Sequence, residues 1–204
     1  MGWILPCGVK GSGYVASLLA LSTASWAQSE ATRPQASGPV TIGEFVGAVV
    51  TARIIQEQVI RRDGNQFPVR QQADLHLVVR SNTKIERQIY QTSYSPRGVR
   101  KANSGKLSFT LEQPTEPKFL GSGHAVWFFD KETLTNLRVY KGGAFKREIL
   151  FARGASGLTC TVTDAFLRKD GVGSIELRSA VDGTPVKLIS SKQVSSSCQV
   201  TKPK

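Results

Sequence analysis

Leu75, Leu77 and Val79 alternate with His76 and Arg80, Leu107, Phe109 and Leu111 with Ser108 and Thr110, and Leu158, Cys160 and Val162 with Thr159, Thr161 and Thr163. An apolar period of two marks a strand with one buried face, because successive side chains on extended backbone point to opposite sides. Turn signals separate such runs at short intervals. Asp63-Gly64 divides Val49–Arg61 from Val69–Arg80, Ser81-Asn82-Thr83 precedes Ile85–Tyr90, and Gly142-Gly143 divides Leu137–Tyr140 from Phe145–Ala152. Asp170-Gly171 and Asp182-Gly183 continue the series. Gly and Asn tolerate the positive φ that tight hairpin connections demand. The pattern predicts an all-β fold over residues 40–204. It is a single β-sandwich or β-barrel-like domain of about eight to ten mostly antiparallel, hairpin-connected strands in meander-like order.

Two stretches refine that expectation. Thr41-Ile42-Gly43-Glu44 has the spacing of a helix capping box. However, β-branched residues crowd Val46 to Ile60, and Gly43 and Gly47 each weaken a helix by about 1 kcal/mol relative to Ala. A long strand preceded by a single helical turn is therefore expected. The uninterrupted apolar run Val126-Trp127-Phe128-Phe129 is expected to be a strand buried on both faces.

Residues 1–27 read as a secretory signal peptide. Lys10 precedes the apolar stretch Tyr14–Leu21, and Ser25 and Ala27 stand at −3 and −1 of a cut before Gln28. The apolar stretch is too short to span about 30 Å of hydrocarbon as a helix. Residues 28–39, polar and carrying two prolines, form a flexible linker into the domain. Export, to the periplasm or beyond the cell, follows. Removing Cys7 with the leader leaves Cys160 and Cys198, an even pair in an oxidising compartment, for which one intramolecular disulfide is the expected state.

The chain carries 27 Lys+Arg against 15 Asp+Glu, a formal +12, of which only Lys10 lies in the leader. A charge so far from zero favours association with polyanions. For an exported protein these are an anionic polysaccharide, a lipid surface or another envelope polyanion, and nucleic acid is not the expected partner.

Groups for catalysis are scarce. Of two histidines, His76 falls on the polar phase of a strand, and His124 lies in Gly121-Ser122-Gly123-His124 ahead of the aromatic run. Ser122, His124 and Asp130 are close in sequence, which does not make a triad, and no GxSxG elbow is present. Metal-ligand spacing, a haem-attachment motif, a phosphate loop and a paired-carboxylate arrangement are all missing from the sequence, so no metal and no cofactor are expected.

Binding candidates are easier to name. Tyr90 to Lys101 reads as a basic, aromatic-flanked connection in which Arg97, Arg100 and Lys101 can pair with phosphate or carboxylate while Tyr90 and Tyr94 stack on a ligand. Lys141, Lys146 and Arg147 around Gly142-Gly143 form a second patch, and His124 a glycine-flanked candidate for a pocket wall. The expected function is that of an exported, non-catalytic binding protein for an anionic envelope component or small ligand. The alternatives are an exported hydrolase using His124 and a structural or partner-binding envelope protein.

Overall fold

The computed structural model describes residues 39–155, 157–169, 171, 173–179 and 183–202. The expected leader and nearly all of the linker at 28–39 lie outside them. The fold is all-β. Its strands are β1 (Val49–Arg62), β2 (Asn65–Ser81), β3 (Lys84–Ser95), β4 (Gly98–Asn103), β5 (Leu107–Glu112), β6 (Ala125–Asp130), β7 (Thr133–Tyr140), β8 (Gly143–Gly154), β9 (Gly157–Arg168), β10 (Ile175–Arg178) and β11 (Pro185–Thr201). They form one sheet in the order β10-β11-β1-β2-β3-β5-β6-β7-β8-β9, with β4 paired to the outer half of β3. All neighbours are antiparallel except β5 and β6, which run parallel.

The sheet curls into a nearly closed barrel. Even residues of β1 and odd residues of β2 and β3 point inward, and Val50, Ile54, Leu75, Leu77, Val79 and Ile85 meet Trp127, Leu134, Ile149, Phe151 and Val162 in the main core. The run at β6 is buried on both faces as expected. Trp127 packs into this core, whereas Val126 and Phe128 turn outward onto Leu137, Val139 and Ala144 under Leu120. Residues 113–124 carry the chain back along the outside, which is why β6 needs two apolar faces.

The start of the domain seals one end. Ile42–Phe45 forms a single helical turn whose Thr41 N–H donates to Glu44 Oε1 at 2.9 Å. The fully buried Phe45 ring lies 4.1 Å from that of Phe151. Glu44 reaches Arg153 at 2.6 Å, the Val40 N–H donates to Glu132, and the Gly47 N–H donates to the Val79 carbonyl. The capping residues and the long strand thus both form, one after the other. At the opposite end, the β1–β2 turn holds Asp63 at φ 53° and Gly64 at φ 80°, the left-handed pair that such a turn requires.

The seam of the barrel is different in kind. Among the described residues no backbone ladder joins β9 to β11. The Cys160–Cys198 disulfide joins them instead, compatible with an exported protein. The Gln193 side chain bridges them too, accepting from the Asp164 N–H at 2.7 Å and donating to the Val162 carbonyl at 3.2 Å. Nearer the mouth, β10 rests on the β7–β8 turn through a bond from the Glu176 N–H to the Lys141 carbonyl. Gly143 is needed in this crowded place, since a Cβ there would collide with the Leu167 carbonyl and Ile175.

Candidate anion-binding cavity

Above the apolar core the inward phase changes character. On β1 the series Val50, Ala52, Ile54 continues as Gln56, Gln58, Ile60 and Arg62, and on β3 Ile85 is followed by Arg87, Ile89, Gln91 and Ser93. Gln56 to Arg62 on β1, Ile89 to Ser93 on β3 and their inward counterparts on facing strands enclose a cavity of about 260 Å³ that opens at the mouth. Its wall carries Arg62, Arg97, Arg100, Arg138, Arg147 and Arg178, and no carboxylate lines it among the described residues. The volume lies just under the roughly 300–1,000 Å³ of small-ligand pockets.

The floor is a chain of buried polar groups. Arg147 donates from Nε and Nη2 to the two oxygens of Asp164, both at 2.7 Å. Gln56 Nε2 donates to Asp164 at 3.1 Å, and Gln58 Nε2 donates to the amide oxygens of Gln56 and Gln71. Asp164 is therefore fully engaged. Arg138 instead donates through Nε to Asn136 Oδ1 at 3.0 Å and makes no ion pair among the described residues.

Beneath the floor lies Arg87, 4% exposed, its guanidinium over the Phe109 ring at 4.9 Å. Its Nε and Nη1 are buried without an acceptor, as is Nε1 of Trp127, which also packs on Phe109. Burial, reinforced by the charges of Arg138 and Arg147, lowers the Arg87 pKa to about 10. Three guanidiniums thus sit close together in the interior, with Asp164 as the carboxylate partner of one.

The structure divides the residues singled out by sequence. Arg97, Arg100 and Arg147 converge on the cavity. Arg97 also stacks over Phe67 at 4.7 Å. Tyr90, Tyr94 and Lys101 lie on the opposite phase of β3 and β4 and face outward, as does Lys146, which pairs with Glu148 at 2.6 Å. Tyr90–Lys101 is no loop but most of a hairpin. Its polar residues Gln91, Ser93 and Ser95 hide the strand pattern because they face a cavity instead of a core. Lys141 sits at the β7–β8 turn, 3.5 Å from Glu176.

His124 is exposed, with Nδ1 2.9 Å from the Gly121 carbonyl in a tight turn. It stands at one end of β6 and Asp130 at the other, about 20 Å away by strand rise. His76 is exposed on the outer face of β2. Among the described residues no group of three or more His, Cys, Asp or Glu side chains is placed to hold a metal ion.

Sequence reasoning missed Arg87, Arg138, Asp164 and the three glutamines. A signal for Arg87, and for the burial of Arg147, was present in the strand phase. Arg87 stands between Ile85 and Ile89, and Arg147 between Phe145 and Ile149, so each arginine is on an apolar face. Compared with known proteins, the chain matches no protein-family model, no curated protein and no solved structure.

Proposed function

We propose that the protein is exported by a leader cleaved after Ala27 and acts as a non-catalytic binding protein, receiving a small anionic ligand in the barrel. The observation that carries this reading is Arg138, which lines the cavity bonded to the Asn136 amide and makes no ion pair among the described residues, while Asp164 engages Arg147 beside it. Guanidinium forks suit carboxylate and phosphate oxygens, and a partly water-excluded cavity strengthens such pairs. An envelope polymer fits the same chemistry only through a small acidic end group, given a cavity of about 260 Å³.

Calorimetric titration of the oxidised protein with inorganic phosphate, octanoate and octyl phosphate, at low and physiological salt, tests the reading. Saturable binding of at least one anion that survives physiological salt and weakens at least tenfold in Arg138→Gln is expected. Binding that vanishes as the Debye length shrinks to about 8 Å, or that ignores Arg138→Gln, overturns it.

A further inference from the structure

On the β1–β2 and β8–β9 walls the cavity is graded along its depth, whereas the β3 wall runs from Ile89 through Gln91 and Ser93 to Ser95 toward the mouth. Strand register sets Arg62 and Asn65 at the rim, Ile60 and Phe67 below them, Gln58 and Val69 next, and Gln56 and Gln71 at the floor. On the other side Phe145 pairs with Phe166, one inward step above Arg147 and Asp164, and their rings lie 5.1 Å apart. Leu177 and Val186 pair near the rim. An apolar belt of Ile60, Phe67, Phe145, Phe166, Leu177 and Val186 therefore stands on the mouth side of the Arg147–Asp164 floor, and Arg138, in register with Phe145 of the belt, donates down to Asn136, which is in register with Arg147.

The rim arginines and the deep ones also differ in how their charge is accommodated. Arg62 lies 3.6 Å from Asp63, Arg178 donates to the Gly183 carbonyl, and Arg97 is exposed to water. Water solvates a charge at the rim, whereas Nε and Nη1 of the buried Arg87 guanidinium have no acceptor among the described residues. The demand for negative charge is thus strongest at depth, beside Arg138 and above Arg87.

We infer that the ligand is an amphipathic organic anion that enters head first, its carboxylate or phosphate on the floor at Arg138 and its apolar body in the belt below the mouth. This rests on the reading of the cavity as an anion site. It adds a chemical class and an orientation, neither of which follows from charge alone.

The test compares octyl phosphate, octanoate, inorganic phosphate and octanol on the oxidised full chain, with Arg138→Gln, Arg138→Lys, Arg97→Gln and Arg178→Gln variants checked for native circular dichroism. Each buried methylene is worth about fourfold in affinity, so an octyl-bearing anion is expected to bind at least about tenfold tighter than inorganic phosphate and than octanol. Arg138→Gln removes most of that affinity, Arg138→Lys restores part of it, and Arg97→Gln and Arg178→Gln at the rim each cost several-fold less than Arg138→Gln. Preference for phosphate over octanoate, or the reverse, identifies the head group. Equal affinity for inorganic and octyl phosphate overturns the amphiphile and leaves the anion site standing. Larger losses in the rim variants than in Arg138→Gln overturn the orientation. Absence of binding by every anion overturns both readings.

Discussion

Arg147 and Asp164 face each other across β8 and β9 in a bidentate pair whose side chains are 6% and 1% exposed. Removing one member of a buried pair leaves the other uncompensated, a loss of about 3 to 5 kcal/mol. Asp164→Asn is expected to lower unfolding stability by that amount, and it would also release Gln56 from its acceptor. Guanidinium denaturation checks it. A change below about 1 kcal/mol would mean that water reaches the pair.

Arg87 should behave in the opposite way. Its folded pKa, about 10, lies below the ordinary guanidinium range, so the folded state disfavours its charged form. The penalty is full below about pH 10 and is relieved as pH rises above it. Arg87→Met, which keeps length and removes the charge, is expected to raise stability by about 1 to 3 kcal/mol at neutral pH. The same substitution weakens anion binding several-fold, and parallel denaturation and calorimetry would reveal both changes.

Glu44 supplies an acid-sensitive latch at the sealed end. The bond from the Thr41 N–H, and next among the lowering causes the Arg153 charge, hold its carboxyl below the ordinary 4.5. A carboxylate lowered in this way contributes stability that is complete above pH 4.5 and lost as pH falls through its folded value. Glu44→Gln is expected to flatten that part of the stability profile between neutral and acid pH while leaving the region above pH 7 parallel to wild type.

Cys160 and Cys198 close a loop of 38 residues across the seam. In the chain-entropy treatment the bond is worth about 4 kcal/mol. Replacing both cysteines by serine is expected to cost up to that amount. Because Gln193 is the other described bridge there, amide exchange should quicken first along β9 and β11. Uniform quickening over the whole sheet would show that the seam has no separate opening.

The strand architecture was legible because most strands bury one apolar face in a regular phase. Leu75, Leu77 and Val79 are inward, as their alternation implies, and Cys160 and Val162 likewise. Legibility stopped where the interior ceases to be apolar. Gln91, Ser93 and Ser95 continue the inward phase of Ile85 and Ile89, but polar residues in that phase look like loop until the cavity is seen. Arg147 was visible as a charge beside a turn. Its burial depends on Asp164, which is 17 residues away in sequence and adjacent only through the β8–β9 register. Charge counting therefore found the basic character of the chain without locating its most confined cations.

Phe45 closes the barrel at the end away from the mouth. On the proposed binding role, an amphiphile received head first leaves through that mouth with its tail leading. Substitutions in β10 and the turns beside it are then expected to change how long it stays without touching the groups that hold its head.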